Sequence, residues 1–236
     1  MRPHVKICGL CRQEDLDCAA RLGADLCGFV FVAGSPRRTT PEEAARLDSR
    51  GLVRVGVTTD SDPDALRALM RTARLDMLQL HGNQPEACVR ALGLPPERII
   101  RVLWPARCTD ADELETVMHR LAPAAGLFLL DAGRAGGGSG RRIAPELLAG
   151  LRSPRPWLLA GGLGPDNVAE AVAACRDPQF YGVDLNSGLE SAPGCKDHNR
   201  MAAALWALGK TPDAAVPGAE DAGTICLGNE AEKETR

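Results

Sequence analysis

Two side chains of complementary acid–base character end apolar runs in this sequence. Cys8 ends the run VKIC, and Asp131 ends the run GLFLLD. A thiolate beside positive charge can act as a base or as a nucleophile, and a carboxyl held between apolar walls favours its protonated form and can act as a general acid. The two residues are therefore candidates for chemistry on one ligand. Each residue also has a structural interpretation, as a small buried hydrophobe for Cys8 and a turn aspartate for Asp131.

Glycines after two later runs suggest an anion site. Gly161 and Gly162 follow the run PWLLA, and Asn186, Ser187 and Gly188 follow YGVDL. Backbone N–H groups in such loops can hold a phosphate, and they leave no trace in the net charge. The loops after the last two strands of a barrel commonly do this. The sequence thus predicts a phosphorylated ligand at these five residues.

Two further polar residues follow strand-like runs. Arg37, in AGSPRR, carries a guanidinium that suits a planar carboxylate through two parallel hydrogen bonds. His81, in LQLHG, either donates a hydrogen bond to the ligand or ends its strand by bonding to backbone. The glycine-rich loop AGRAGGGSGRR that follows Asp131 suits a mobile lid, with Arg141 or Arg142 near the phosphate or in solvent.

The elements that position these residues alternate along the chain. Short apolar runs recur at intervals of roughly 25 residues, each followed by a helix-like segment. The runs span residues 5–8, 26–32, 54–59, 77–81, 98–104, 126–131, 156–161 and 181–186. Helix starts are expected where Thr40, Asp62, Gln84 and Gly164 precede proline. Eight strand–helix units predict an α/β protein with a single-domain (β/α)8 TIM barrel, and a doubly wound open sheet is the alternative.

Composition bounds the chain and its partners. The barrel is expected over residues 1–210, and residues 211–236, rich in proline, glycine and acidic residues, read as a disordered tail. A net charge of -3 gives no basic excess for nucleic acid, and no apolar run approaches the roughly 20 residues of a membrane span. Without a signal-peptide pattern, a cytoplasmic location is expected.

Nine cysteines lack metal-type spacing, apart from the pair CGLC at Cys8 and Cys11. No second pair or histidine cluster completes that site, so we expect no metal and mostly free thiols.

Six motifs, in this order, resemble the phosphoribosylanthranilate isomerase family over about residues 4–208. They are KICG at 6–9, GFVF with SPR at 28–37, QLHG at 79–82, LLD with GGSG at 129–140, LAGGL at 159–163, and GVDLNSGLE with PGCKD at 182–197. The resemblance implies a (β/α)8 barrel that works without cofactor. It implies that Cys8 is the general base, Asp131 the general acid, and Arg37 the partner of the anthranilate carboxylate.

The implied reaction is an Amadori rearrangement in tryptophan biosynthesis. It converts N-(5-phosphoribosyl)anthranilate to 1-(2-carboxyphenylamino)-1-deoxyribulose 5-phosphate. The chain departs from the family pattern where GVT, GVDLNSG and GGSGRR replace GVF, GVDVSSG and GGTGK, which leaves the phosphate contacts of Asn186 and Arg141 open.

Two other functions remain open at this stage. One is a different sugar-phosphate enzyme, such as an epimerase or an indole-glycerol-phosphate synthase, which needs a lysine at the mouth; Lys6 shares a strand face with Cys8. The other is a non-catalytic phosphosugar-binding barrel, which has no need for Cys8 and Asp131. The residues do not show whether a second aminoaldose substrate is accepted. They also do not show whether the protein is a monomer or a homodimer.

Overall fold

Eight parallel strands form a closed barrel in chain order. The computed structural model describes residues 2–133 and 143–210. The barrel strands are β1 (His4–Cys8), β2 (Leu26–Val30), β3 (Val53–Thr58), β4 (Met77–Leu80), β5 (Ile99–Leu103), β6 (Leu127–Asp131), β7 (Trp157–Ala160) and β8 (Phe180–Leu185). The last strand pairs with the first, in a register that sets Lys6 opposite Asp184. The predicted barrel is confirmed, and the open sheet is wrong.

Helices cover the outside of the barrel. They are α1 (Gln13–Arg21), α2 (Pro41–Arg46), α3 (Pro63–Thr72), α4 (Glu86–Ala91), α5 (Ala111–Leu121), α6 (Pro145–Gly150), α7 (Val168–Ala174) and α8 (His198–Ala207). Each longer helix turns an apolar stripe to the strands, as Leu66 and Met70 do on α3. A short antiparallel hairpin, β9 (Glu190–Ala192) and β10 (Cys195–Lys196), separates β8 from α8.

Six strands end one or two residues earlier than the sequence predicted. The residues placed beyond the strand ends by this correction are Phe31, Val32, Thr59, His81, Trp104, Gly161 and Asn186. All of them except Phe31 line a cavity at the carboxyl ends of the strands. Phe31, Val32 and Trp104 pack against buried residues, which explains why the apolar pattern runs past the ends of β2 and β5. The ends at Cys8 and Asp131 are as predicted.

Two of the four predicted helix starts are confirmed. Thr40 forms a capping box with Glu43, and Asp62 caps α3. The helix start predicted after Gln84 is one residue too early, because α4 begins at Glu86 and Pro85 is at the N-cap. The buried Gln84 side chain instead donates to the Thr58 and Asp60 carbonyls.

The expected start of α7 after Gly164 is wrong, because α7 begins at Val168. The Asn167 side chain explains the delay. Its Oδ1 accepts from the Gly164 amide, and its Nδ2 donates to the Gly162 carbonyl, which holds the intervening residues in a turn. The glycine loop is therefore followed by a turn instead of a helix.

The barrel interior is layered. The lower part is an apolar cluster, which includes Leu26, Val55, Met77, Ile100, Leu127 and Leu158. Above it, Cys8, Val30 and Val57 pack together near the mouth. Inward-facing polar residues are thereby confined to the upper end of the barrel, where chemistry in this fold takes place.

Two sequence predictions fall outside the described residues. The expected lid, with Arg141 and Arg142, lies almost wholly in residues 134–142, and the expected tail spans residues 211–236. Within the described ranges, no helix is long and apolar enough to cross a membrane.

Candidate active site

A cavity of about 460 Å³ opens at the carboxyl ends of the strands. Eight of the nine predicted site residues line it: Cys8, Arg37, His81, Asp131, Gly161, Gly162, Asn186 and Ser187. The ninth, Gly188, lies behind the wall, where a Cβ would meet the Leu163 carbonyl oxygen. The sequence-predicted residues thus converge on one site, although they come from six different strand ends.

Cys8 projects into the cavity from the end of β1 and is 4% exposed. Its neighbour across the ladder is Gly28, where a Cβ would stand 2.8 Å from the Cys8 sulfur. Burial raises the pKa of the Cys8 thiol, whereas the positive charge of Lys6 acts in the opposite direction. The protonation state of the thiol therefore depends on its electrostatic surroundings.

Asp131 enters the cavity from the end of β6. Its Oδ1 accepts a 2.9 Å hydrogen bond from the Gly133 amide, which fixes the carboxyl at the start of the loop. Its Oδ2 lies 3.6 Å from Nε2 of His81. The carboxyl is buried, as the sequence predicted, and one oxygen faces a second polar side chain.

His81 follows the end of β4 and faces the cavity. Its backbone amide donates to the Thr58 carbonyl, while its ring lines the cavity, where a ligand bond stays a prediction. Burial lowers the pKa of the imidazole, against the charge of Asp131, so the neutral ring is favoured. With Gln79 Nε2 as donor to Nδ1 at 3.2 Å, the ring hydrogen lies on Nε2, facing Asp131.

A buried ion pair lies beneath the cavity floor. Lys6 Nζ contacts Asp184 Oδ1 at 2.8 Å, and the lysine side chain is 0% exposed. Asp184 lines the cavity, and Lys6 does not. Burial alone would lower the pKa of the Lys6 ammonium, but Asp184 and Cys8 outweigh it and raise that pKa. Lys6 is therefore a fixed positive charge below the thiol.

Arg37 is held by the hairpin that follows β8. Its Nε and Nη2 donate to the two carboxylate oxygens of Glu190 at 2.8 and 2.6 Å. The two parallel bonds expected for a ligand are thus made to Glu190 in this structure. Among the described residues, Nη1 has no acceptor and is the nitrogen left for a ligand.

Lys196 connects the same hairpin to the β8 loop. Its ammonium donates to the Asn186 carbonyl, to Asn186 Oδ1 and to Glu190 Oε1. These three acceptors account for its three hydrogens. Asn186 lines the cavity as predicted, but its side-chain oxygen is already bonded to Lys196.

Backbone amides gather where the β7 and β8 loops meet. Within residues 2–133 and 143–210, the N–H groups of Gly162, Ser187 and Gly188 have no protein acceptor. Gly161 and Gly162 have φ of 100° and 64°, values that favour glycine, and a Cβ at Gly161 would collide with Ala132. Unpartnered amides in such loops suit an oxyanion.

Sequence reasoning missed Gln79, Asp184 and Glu190. Strand alternation was the signal for the first two, because each precedes a predicted site residue by two positions and so shares its face. Glu190 gave no such signal, since only the folded hairpin brings it to Arg37.

The sequence matches a known protein family. The family model described as N-(5′-phosphoribosyl)anthranilate (PRA) isomerase matches residues 5–206. This chain belongs to that family. A curated N-(5′-phosphoribosyl)anthranilate isomerase of Desulfovibrio desulfuricans is 50% identical over 206 residues, which cover 87% of this chain and 95% of the relative.

Solved structures of PRA isomerases share the fold. The Thermus thermophilus enzyme superposes with a TM-score of 0.72 at 36% identity, covering 87% of this chain and 98% of that one. Another PRA isomerase structure, in complex with reduced 1-(o-carboxyphenylamino)-1-deoxyribulose 5-phosphate, gives a TM-score of 0.70 at 28% identity. It covers 88% of this chain and 98% of the other.

Proposed function

We infer that this chain isomerises N-(5-phosphoribosyl)anthranilate to 1-(2-carboxyphenylamino)-1-deoxyribulose 5-phosphate, a step of tryptophan biosynthesis. Family membership supports the reaction. The observation that supports its chemistry here is that a thiol and a buried carboxyl, Cys8 and Asp131, line the same cavity from β1 and β6. Their separation around the barrel leaves room for a sugar between them.

We assign the acid step to Asp131. A proton delivered to the ribose ring oxygen lets the C1′–O bond break as the anthranilate nitrogen forms a Schiff base. The protonated carboxyl supplies that hydrogen and becomes a carboxylate. His81, neutral and with Nε2 facing Asp131, then stabilises the negative charge without competing for the proton.

We assign the base step to Cys8. As thiolate, it removes the hydrogen on C2′, and the electron pair moves into the C1′–C2′ bond and neutralises the Schiff-base nitrogen. The resulting enolamine becomes the ketone by gaining a proton at C1′ and losing one from the C2′ hydroxyl. C2′ is oxidised and C1′ is reduced within one molecule, so the chemistry needs no redox cofactor.

We place the two anionic ends of the substrate at opposite parts of the mouth. The phosphate suits the unpartnered amides of Gly162 and Ser187, which both line the cavity. The anthranilate carboxylate suits Nη1 of Arg37. Because both ends of the substrate are held, the sugar carbons lie between base and acid. The reacting groups are then already in position for the proton transfers.

The synthase alternative needs a lysine in contact with the ligand. Lys6 is fully buried, is bonded to Asp184 and does not line the cavity. These observations favour the isomerase over that alternative.

The test uses purified protein and freshly generated N-(5-phosphoribosyl)anthranilate, followed by the change in anthranilate-type fluorescence. We expect turnover by the wild type and a loss of about 10²–10⁴-fold in kcat for Cys8→Ser and for Asp131→Asn. Cys175→Ser, at a helix end away from the cavity, and Asp112→Asn, on the exposed side of α5, are the matched controls. Full activity in both active-site variants would overturn the assignment, and no turnover by the wild type would overturn the function.

We also propose a cytoplasmic location. The eight cysteines in the described residues are free thiols, and Cys195 is exposed. Exposed free thiols are typical of a reducing compartment. Isomerase activity confined to the periplasmic or secreted fraction of cells would contradict this proposal.

A further inference from the structure

Lys6 is a fully buried charge that the proposed mechanism does not use. It lies inside the barrel, two residues before Cys8 on the same strand face, directly above the apolar interior cluster. Burying an ammonium is unfavourable unless it is well paired. Such a residue in a core of leucine, valine and methionine calls for an electrostatic explanation.

The Lys6 ammonium and the Cys8 sulfur border the same small space inside the barrel. The point where a Cβ on Gly28 would stand lies 3.1 Å from Lys6 Nζ and 2.8 Å from Cys8 Sγ. The absence of a side chain at Gly28 therefore creates the space that both groups share. Within the described residues, the ammonium has one oxygen acceptor, Asp184 Oδ1, so it retains donors for a second partner.

Other charged groups also face Cys8. Asp184 approaches from β8, Lys196 from the hairpin, and Arg37 from the loop after β2. Lys196 and Arg37 both pair with Glu190, whose single negative charge offsets only one of their two positive charges, and Lys196 favours the thiolate less strongly than Lys6 does. Asp184 opposes a thiolate and at the same time holds the Lys6 ammonium in place.

We propose that Lys6 is a positioning residue whose ammonium stabilises the thiolate of Cys8 from inside the barrel. It touches no substrate atom and acts through Cys8, while Asp184 fixes its position. The inference deepens the proposed function, on which the assignment of Cys8 as the base rests. In this arrangement the positive charge that stabilises the Cys8 thiolate comes from a residue inside the barrel, whether or not a ligand is bound.

The experiment measures the thiolate directly. Wild type and Lys6→Met are treated with iodoacetamide over pH of about 6 to 10, and label at Cys8 is located by tandem mass spectrometry. Loss of the ammonium should shift the titration midpoint of Cys8 upward by about 1 unit, and lower its labelling rate near neutral pH about tenfold. Cys11, in the same tryptic peptide, is the internal control, and its rate should not change.

Two further variants separate charge from packing. Lys6→Arg keeps a positive charge and should restore much of the wild-type midpoint. Lys6→Met/Asp184→Asn removes both charges, so its midpoint should lie between those of wild type and Lys6→Met, because the opposing carboxylate is gone. The double variant leaves no unpaired buried charge, so it keeps the test available if Lys6→Met fails to fold.

The outcomes distinguish this inference from the proposed function. The rising limb of kcat/KM against pH should move with the labelling midpoint, whereas a purely structural role for Lys6 would lower thermal stability and leave the midpoint in place. An unchanged Cys8 midpoint in a folded Lys6→Met protein would refute the role of Lys6. A wild-type protein that does not turn over the substrate would refute the function and leave the labelling result intact.

Discussion

Gly28 shows how the absence of one methyl group can position a reactive thiol. Gly28 lies in β2 opposite Cys8, and the space that its side chain would occupy is taken up by the Cys8 sulfur and the Lys6 ammonium. Any Cβ there would also stand 3.0 Å from the Cys8 Cα atom, a backbone atom that cannot turn away. The glycine of the motif GFVF is therefore needed for packing against Cys8 of β1 more than for the structure of β2 itself.

We expect Gly28→Ala to reduce kcat about 10²-fold, because displacing a reacting group by about 1 Å has effects of that size. KM should change less, since the phosphate and carboxylate contacts lie elsewhere. Steady-state kinetics with N-(5-phosphoribosyl)anthranilate measure both values. Gly150→Ala, where a Cβ meets nothing within 4 Å, is the control and should leave the kinetics unchanged. Wild-type kcat in Gly28→Ala would show that the thiol tolerates the shift.

Single residues were predictable from sequence where position along a strand decides their role. Cys8 and Asp131 end strands as predicted, and both reach the cavity. The partner of Arg37 was not predictable, because Glu190 is 153 residues away in the chain. Local spacing identifies which side chain faces the mouth, but it does not say which other charge will already be bound to it.

Among the elements, the hairpin β9–β10 has the least expected role. It places Glu190 against Arg37 and Lys196 against Asn186, so it ties Arg37 to the β8 loop. The Glu190 side chain is 4% exposed, and its pair with Arg37 is bidentate. The hairpin therefore orients Arg37 before any ligand arrives.

We expect Glu190→Gln to raise KM about tenfold, equivalent to about 1.4 kcal/mol, because Arg37 loses the charge that orients it. The effect on kcat should be smaller. An analogue built on aniline, which lacks the carboxylate, should show little difference between wild type and variant. Glu42→Gln, on the exposed side of α2, is the control. An equal KM increase for both substrates would place the defect outside the arginine.

Element boundaries were predictable where a side chain caps its own helix. Thr40 and Asp62 gave the starts of α2 and α3 because the cap and the capped amide are two or three residues apart. The start of α7 was wrong, since Asn167 bonds back to Gly162 and Gly164 and forms a turn. A proline in sequence suits either structure, so it did not decide between them.

For the whole molecule, the eight-fold alternation of strands and helices favoured the barrel over a doubly wound open sheet. The alternation alone did not establish closure, which the pairing of β8 with β1 shows. The contacts between side chains in the cavity were not predictable, because they depend on which residues meet across several strands.

We propose that residues 1–210 are the whole catalytic unit. A chain ending at Lys210 retains α8 and the 2.8 Å contact of the Lys210 ammonium with Asp25, which fastens the helix end to the barrel. We expect kcat/KM within about twofold of the full chain, and a similar melting temperature. A large loss of activity in a folded protein would assign a catalytic role to residues 211–236.

The ion pair that joins β1 to β8 also sets an order of events during synthesis. Lys6 and Asp184 are 178 residues apart, so a ribosome needs roughly 10–35 s to add the second after the first. Until then the lysine has no carboxylate to accompany it into an apolar interior. Closure of the barrel between β1 and β8, and with it the pairing of Lys6, therefore waits for the last strand.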